Sequence, residues 1–195
     1  MTLSHADILS IDDFKAIRPR MEADVLAAKA SRRVLVGHHM MFLFENHLTI
    51  QWQIQEMARV EGIQTEEGVG HELKTYNALL PTAESLSATL LIEYSEAQER
   101  DRMLHALGGL HTCVHLELDG CDDAPATFDT AQWNDERVSS VQFIRFPLSA
   151  DQRAALADLT RPAALTISHS HYTARTELSA STRGALIEDM GKTAQ

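Results

Sequence analysis

Cysteine is scarce in this chain. Only Cys113 and Cys121 occur among its 195 residues, so a disulfide-stabilised scaffold is excluded. The dipeptide Asp119–Gly120 lies between two apolar runs and predicts a two-residue hairpin turn. That hairpin places Cys113 opposite Ala126 and Cys121 opposite Leu118, with the sulfur atoms roughly 17 Å apart at about 3.4 Å per residue. We therefore expect two free thiols.

Long apolar runs are also missing. No segment approaches the ~20 apolar residues that a membrane-spanning helix needs. The N-terminus, MTLSHADILSIDDF, lacks the basic and then apolar pattern of a secretory signal. We expect a cytoplasmic protein with no membrane partner.

Basic residues are in the minority. Lys and Arg total 17 against 28 Asp and Glu, which gives a formal net charge of −11. Nucleic acids and anionic membranes bind basic patches, so we expect no nucleic-acid partner. The hydrophobic share of 44% is ordinary for a globular chain, and the length suits one domain.

The motifs of several common enzyme classes are absent. The sequence contains no GxGxxG, GxxxxGK[ST] or GxSxG, and no ExxH pair lies on a predicted helix. Nucleotide-binding folds, serine hydrolases and ferritin-like di-iron bundles therefore receive no support from motifs.

The segment 33–61 has the clearest pattern in the chain. Residues 34–36 and 40–44 are apolar and flank Gly37, which predicts two short strands joined by a glycine turn. A helix is predicted to begin near 46–49 and to end at Gly62. With 100° per residue, one side of this helix is apolar, and Gln51, Gln55 and Arg59 fall on the opposite side.

Three polar residues of that helix, Thr49, Gln53 and Glu56, lie inside or beside its apolar sector. A buried polar group without a hydrogen-bond partner costs about 1–3 kcal/mol, so these groups must meet partners. Two interpretations remain open: an internal network, in which Glu56 pairs with an arginine, and a binding site. The arginines close to this segment in sequence are Arg18, Arg20, Arg32 and Arg33, and they are natural partners for Glu45 and Glu56.

The order of the remaining elements predicts the fold class. Helices come first, and Pro19 is expected to kink the first helix or to begin a second one. Later segments alternate with period two and are joined by hairpins, with Ser95 predicted to cap a helix, a polar loop that holds Trp133, and a final helix from Ser181 to about Met190. The prediction is α+β: N-terminal helices with a mostly antiparallel sheet built from hairpins, plus a C-terminal helix. We expect one domain, 1–195, with a helical arm at 1–32 and an α+β body at 33–195.

Histidines form the second candidate site. His111 and His115 share one face of a predicted strand with Cys113, and His169 and His171 form an HxH pair. Imidazole and thiolate ligands suit zinc or iron, so these four histidines are candidate metal ligands. The alternative is the solvated face of an antiparallel sheet. The pair at 38–39 lies in the glycine turn, where polar residues are common.

Six sequence blocks resemble a bacterial family known only as domain of unknown function 3501 (DUF3501). They are IRPRM at 17–21, LFEN at 43–46, QIQEM at 53–57, EL with YNALLP at 72–81, LSATLLIEY at 86–94 and RFPL at 145–148. The polar residues within these blocks are the ones that the resemblance implies as a ligand-binding set: Arg18, Glu45, Asn46, Gln53, Glu56, Glu72, Tyr76 and Asn77.

The family resemblance also implies a setting. Its members are often encoded near rubrerythrin-like proteins and iron–sulfur oxidoreductases, which suggests a redox or peroxide-defence role but assigns no reaction. The first hypothesis is an accessory protein of an iron or peroxide redox system, with a polar pocket in which Glu45, Glu56 and Glu72 bind a cation or another ligand. The second is a non-catalytic interaction module that docks onto an oxidoreductase partner. The third is a small-molecule enzyme, in which carboxylates beside Tyr76 do acid–base work.

Overall fold

The computed structural model describes residues 2–129 and 136–192; the predicted loop with Trp133 lies outside them. In the described residues the chain forms six α-helices and nine strands. They are α1 (Ile11–Ala30), β1 (Arg33–Val36), β2 (Met40–Phe44), α2 (His47–Glu61), α3 (Glu66–Asn77), β3 (Ser85–Ile92), α4 (Ala97–Ala106), β4 (Val114–Leu118), β5 (Ala124–Pro125), β6 (Thr127–Phe128), β7 (Val141–Pro147), α5 (Ala150–Ala157), β8 (Ala163–His169), β9 (Tyr172–Glu177) and α6 (Ala180–Lys192).

The strands form two antiparallel sheets. Sheet A has the order β1-β2-β3-β7-β6, and sheet B has the order β5-β4-β8-β9. The predicted α+β class is confirmed, with helices at the N-terminus, strands joined largely by hairpins and a helix at the C-terminus. The strands divide between two sheets, and the division lies in the segment 124–128.

The segment 124–128 passes from one sheet to the other. Ala124 pairs with Leu116 of β4, whereas Thr127 pairs with Arg145 of β7. The ladder with β4 ends where the Ala126 amide donates to the carbonyl of Val114 (2.9 Å). Val114 is the first residue of β4, because the three residues 110–112 form a 3₁₀ turn and not the predicted strand. The chain beyond that point therefore finds its next partner in sheet A.

The hairpin between β4 and β5 has a turn at Asp119–Gly120, as predicted, but its register differs. The Cys121 amide donates to the Leu118 carbonyl (3.0 Å), yet Leu116 pairs with Ala124. The register is therefore one residue away from the prediction, and residues 121–123 lie outside the ladder. Both cysteines are free, which confirms the predicted thiols.

The two sheets also meet at β1 and β9. The Tyr172 hydroxyl donates to the carbonyl of Val36 (2.6 Å) and accepts hydrogen bonds from the backbone amides of His38 and His39 (3.0 Å each). The Thr176 hydroxyl donates to the carbonyl of Leu35 (2.9 Å). Because the sheets are joined at both ends, they enclose one main core between them.

The main core lies between the inner faces of the sheets, and helices α4, α5 and α6 add side chains to it. Its largest fully buried members from the strands are Met40, Phe42, Phe44, Leu86, Leu90 and Phe146. Helices α1, α2 and α3 form a helical layer outside this core. Their apolar side chains pack in two smaller clusters. Strand β3 is buried along nearly all of its length. One of its faces carries Leu86, Ala88, Leu90 and Ile92, and the other carries the small polar residues Ser85, Ser87 and Thr89.

Helix α2 is the centre of the helical layer. On one side, its Ile50 and Ile54 pack with Leu73 of α3 and with Leu80. On the other side, its Leu48 and Trp52 pack against a cluster from α1, made of Phe14, Met21 and Val25. The predicted division into an arm at 1–32 and a body at 33–195 stays a prediction.

Local sequence signals account for where most of the helices begin. Ser10, Asn46, Thr65 and Ser149 accept the capping hydrogen bonds of α1, α2, α3 and α5. Ser95 does not cap α4, which begins one residue later, after Glu96.

Pro19 does not interrupt α1. The helix is continuous from Ile11 to Ala30, so the predicted start of a second helix there is wrong. A proline inside a helix costs roughly 3 kcal/mol, but Met21 and Val25 beyond it remain buried against α2. Burial of that face outweighs the lost hydrogen bond.

Alanine substitutions at two glycines test the contact between Tyr172 of β9 and the turn after β1. Gly37 and Gly62 share a φ of 68°, but a Cβ at Gly37 would overlap the Tyr172 hydroxyl, whereas no described neighbour lies within 4 Å of a Cβ at Gly62. Gly62→Ala should lower the free energy of unfolding by about 1–2 kcal/mol through backbone strain alone. Gly37→Ala should cost about 1–3 kcal/mol more because it displaces Tyr172. Urea unfolding measures both, and equal losses would contradict the close packing at Gly37.

Candidate functional site

The predicted ligand-binding residues lie mainly in and around the helical layer, where they form several separate clusters. The first cluster joins α1 to α2. Glu56 accepts from Arg18 Nε (2.7 Å) and from Arg59 Nη2 (2.8 Å). Arg18 also donates to Glu22 (3.1 Å), and its guanidinium carbon lies 5.2 Å from the centroid of the Trp52 ring. A carboxylate held by two guanidinium groups is already neutralised, so this cluster corresponds to the internal network that the sequence left open.

The charged side chains of this cluster shift one another's pKa values. Hydrogen bonds from Arg59 and then from Arg18 lower the pKa of Glu56 below its ordinary value of 4.5. The hydrogen bond with Glu56 in turn raises the pKa of Arg18. Glu56 therefore carries a full charge at neutral pH, within an ion-pair network that crosses the α1–α2 interface.

The second cluster surrounds Glu45. This side chain is buried, and its carboxylate accepts from the hydroxyls of Thr49 and Thr89 (2.6 Å each) and from the Gln53 amide (3.3 Å). Thr89 belongs to β3, so the carboxylate links α2 to sheet A. The N-terminus of α2 begins two residues after Glu45, and the positive end of the helix dipole favours a negative charge there. None of the predicted arginine partners of Glu45 forms an ion pair with it in the described residues.

Asn46 belongs to a third cluster, at the junction of α1, α2 and α6. Its side-chain oxygen caps α2 by accepting from the Thr49 amide (2.9 Å). Its side-chain nitrogen lies 3.5 Å from Asp189 Oδ1, and Asp189 forms a bidentate ion pair with Arg32 (2.7 and 2.9 Å). Both members of this pair are buried. Sequence reasoning missed it, since 157 positions separate the two residues and no motif connects them.

Asn77 binds the N-terminal segment through two hydrogen bonds. Its amide accepts from the backbone N–H of Leu3 (2.9 Å) and donates to the Leu3 carbonyl (2.8 Å). Gln55 makes the same pair of bonds with Leu9 (2.7 and 3.2 Å). Gln55 is buried, although it lies on the side of α2 opposite the apolar sector. The helix face was assigned correctly, but the segment 3–9 covers it.

Glu72 and Tyr76 lie on α3, apart from the three carboxylate and ion-pair clusters. Glu72 lines an open depression of about 700 Å³ with Glu61 and Glu67. Burial, and then the charges of Glu72 and Glu61, raise the pKa of Tyr76 above 10.0. Three carboxylates, those of Glu61, Glu67 and Glu72, therefore line this open surface.

The four candidate metal histidines do not share a site. His115 alternates with the buried Val114 and Leu116, so it faces away from the core, whereas His169 is buried on the core side of β8. His111 lies in the 3₁₀ turn before β4. Across residues 2–129 and 136–192, no group of three or more His, Cys, Asp or Glu residues is arranged to hold a metal ion.

Both ring nitrogens of His169 contact backbone groups. One ring nitrogen, Nε2, lies 2.8 Å from the carbonyl of Gly108, and the other, Nδ1, accepts from the backbone N–H of His171 (3.2 Å). In these contacts Nε2 is placed to donate and Nδ1 to accept. Tyr172 follows in the chain and contacts the turn of His38 and His39, which brings the two histidine pairs onto neighbouring turns.

A cleft lies between the N-terminal segment and the α2–α3 connection. Its volume is about 430 Å³. Its lining includes the apolar residues Ile8, Ile63 and Val69, the carboxylates of Asp12 and Glu66, and the imidazole of His5. None of the predicted ligand-binding residues lines it.

A family model described as a protein of unknown function (DUF3501) matches residues 2–190. The chain belongs to the DUF3501 family. This DUF3501 chain is similar to a solved structure, the crystal structure of a novel protein of unknown function from Burkholderia pseudomallei K96243. The two share 33% identity over 97% of this chain and 100% of that chain, with a TM-score of 0.91. No curated protein matches the chain.

The DUF3501 sequence blocks thus contribute mainly internal contacts in the part of the chain that the structure describes. IRPRM and QIQEM meet through Arg18 and Glu56, and LFEN meets LSATLLIEY through Glu45 and Thr89. The RFPL arginine, Arg145, donates to the Ser85 hydroxyl (3.1 Å). It also donates to two carbonyls just after α3, those of Ala78 and Leu80 (2.9 Å to Leu80). No described helix is long and apolar enough to cross a membrane.

The pH dependence of stability tests the network around Glu56. Because its pKa is lower in the folded chain, Glu56 stabilises the fold above the ordinary pKa of 4.5, and this contribution is lost as pH falls through the folded value. Glu56→Gln should lower the free energy of unfolding by about 1–2 kcal/mol at pH 7. The difference from the wild type should disappear in acid.

Urea unfolding at a series of pH values measures this difference. Glu84→Gln is the matched control, because Glu84 is exposed, lies outside the helices and makes no ion pair within the described residues. That control should change stability by less than about 0.5 kcal/mol. A loss for Glu56→Gln that is independent of pH would contradict the ion-pair assignment.

Proposed function

We propose that this DUF3501 protein is a non-catalytic accessory module that docks onto an oxidoreductase partner in an iron or peroxide redox system. One observation carries the proposal: the polar residues of the family blocks bond one another and the backbone across α1, α2 and sheet A. Such groups stabilise one arrangement of the helical layer. They supply a rigid surface for a partner.

The positions of the carboxylates support docking over a shared ligand pocket. Glu56 is paired with two arginines, and Glu45 is buried among hydroxyl and amide donors. Glu72 lies on the open surface of α3. A cation site would need these groups to converge with free oxygen atoms, and a ligand pocket would need them to face one cavity.

The acidic depression on α3 is the proposed docking surface. Glu61, Glu67 and Glu72 line it, and the basic side chain of Lys74 is also present. The whole chain has a net charge of −11. Complementary charge steers association and fixes the orientation of partners. The partner should therefore present lysine or arginine side chains, and the family setting nominates a rubrerythrin-like protein or an iron–sulfur oxidoreductase.

A small-molecule enzyme is the second candidate, and the cleft of about 430 Å³ is the observation that favours it. Its volume lies within the range of ligand pockets, roughly 300–1,000 Å³. Its carboxylates, Asp12 and Glu66, lie in the first turns of α1 and α3, where acidic residues complement the helix dipole. That structural role accounts for them, so docking remains the better-supported function.

A metal-binding pocket, with iron or zinc as the cofactor, is tested by elemental analysis of untagged protein purified without chelator. The docking proposal predicts no stoichiometric metal in the wild type or in Glu56→Gln. A metal bound at about one per chain, and lost in Glu56→Gln, His111→Ala or His169→Ala, would contradict the proposal.

Docking is tested by binding to a purified rubrerythrin-like protein and a purified iron–sulfur oxidoreductase from the same genome. The triple variant Glu61→Gln, Glu67→Gln and Glu72→Gln should weaken binding at least about tenfold, and added salt should reduce the difference from the wild type. The matched control changes three exposed acids elsewhere: Glu84→Gln, Asp122→Asn and Asp123→Asn. Equal weakening by both variants would contradict this docking surface, and absence of binding to both proteins would contradict the proposal.

A further inference from the structure

A cavity of about 300 Å³ lies beside β7, where residues of β3, β6 and β7 meet Ala78 and Leu79, which follow α3. Ser87 of β3 and Thr127 of β6 pair with Arg145 of β7 from its two sides. Residues paired in this way lie on the same face of a sheet. The residues next to them in β3 and β7 pack into the main core, so this face of sheet A is the outer one.

Arg145 is a half-buried cation that forms no ion pair in the part of the chain that the structure describes. Its bonds to the Ser85 hydroxyl and to the carbonyls of Ala78 and Leu80 occupy three of its five N–H groups. Burial lowers the pKa of the Arg145 guanidinium, whereas a carboxylate beside it would raise that pKa. The acceptors are neutral, so the charge of Arg145 is left uncompensated, although buried charges are ordinarily paired.

Ser87 supplies a hydroxyl without a partner in the same cavity. Its residue is only 3% exposed, and it lines the cavity. Its backbone carbonyl accepts from the Glu45 amide (2.8 Å), but no described residue bonds its hydroxyl. Its neighbours on the same face, Ser85 and Thr89, are both bonded, to Arg145 and to Glu45. Buried hydroxyls nearly always have a partner, so this one is available to a molecule in the cavity.

We propose that this cavity binds a small organic acid as its monoanion. The ligand carboxylate accepts hydrogen bonds from Arg145 and from the Ser87 hydroxyl. Its apolar part packs against Leu79 and against Phe143, which lies two residues before Arg145 on the same face of β7. Carboxylates are preferred partners of the guanidinium group, and pockets of roughly 300 Å³ with apolar walls and a few polar groups hold small ligands.

The charges of the lining favour a monoanion over a phosphate. Arg145 is the one cationic side chain among the described residues that line the cavity, and the carboxylate of Asp129 lines it too. A single guanidinium beside a carboxylate compensates one negative charge better than two. The site is separate from the proposed docking surface, because no described residue lines both this cavity and the acidic depression on α3. The two proposals can therefore fail independently.

Proton–nitrogen NMR spectra of the whole chain, recorded during titration with benzoate and with hexanoate at fixed ionic strength, test the proposal. At least one carboxylate should give saturable shifts that include the amides of Ser87 and Phe143. Benzamide and hexanamide keep the apolar parts without the charge and should bind at least about tenfold more weakly. Absence of saturable shifts with both carboxylates, or equal binding of the amides, would overturn the proposal. Tighter binding of inorganic phosphate would overturn the ligand class.

Ser87→Ala separates ligand binding from a structural role. It should weaken binding of the tighter carboxylate about threefold to tenfold, the effect of one hydrogen bond. It should not lower the urea midpoint, because the hydroxyl has no partner within the described fold. The matched control is Ser168→Ala, an exposed serine of β8, which should leave the affinity unchanged. An unchanged affinity in Ser87→Ala, or a lower urea midpoint, would overturn the role of Ser87.

Arg145→Gln and Arg145→Lys test the charge. Both variants lose the bonds to the Ser85 hydroxyl and to the carbonyls after α3, so both should have a lower urea midpoint. Lysine keeps the positive charge and should retain measurable binding of the carboxylate, whereas glutamine should abolish it. Spectra recorded without urea establish that both variants are folded. Equal affinities of the two variants would overturn the role of Arg145 as the charge partner.

Discussion

The buried ion pair between Arg32 and Asp189 is the constraint on which the arrangement of helices depends. Arg32 follows α1, and Asp189 belongs to α6, so the pair ties the first helix to the last. The Arg32 backbone carbonyl also accepts from Phe44 of β2 (2.9 Å), and Asn46 at the start of α2 lies beside Asp189. Burial of two charges is tolerated only when they are paired. The same contact therefore determines where α1, β2, α2 and α6 meet.

The other polar groups of the helical layer extend this principle. Glu56 connects α2 to α1, Glu45 connects α2 to sheet A, and Gln55 and Asn77 attach the N-terminal segment to α2 and α3. These bonds are directional, whereas apolar packing alone would allow the helices to slide over one another. A layer fixed in this way can present a constant surface to a partner.

Much of this fold could be predicted from local signals. The capping residues and the turns at Gly37 and Gly62 follow from short-range chemistry. The sequence offered several arginines as partners for Glu56, and the structure shows that Arg18 is one that binds it. The pair of Arg32 with Asp189 could not be predicted, because no local pattern relates residues so far apart. The burial of Gln55 depends on a segment that crosses α2 from elsewhere in the chain. His115 and His169 looked like one ligand set, but the side of the sheet that each faces is decided by the pairing of the strands.

The central claim is that the buried charged groups of the helical layer are structural connections. The most direct measurement compares Arg32→Gln with Arg33→Gln by urea unfolding at pH 7. The two arginines are adjacent in sequence, but Arg32 is buried and Arg33 is exposed. The account predicts that Arg32→Gln lowers the free energy of unfolding by about 3–5 kcal/mol, because Asp189 stays buried without its partner. Arg33→Gln should change it by less than about 0.5 kcal/mol. Equal, small effects of the two substitutions would contradict the claim.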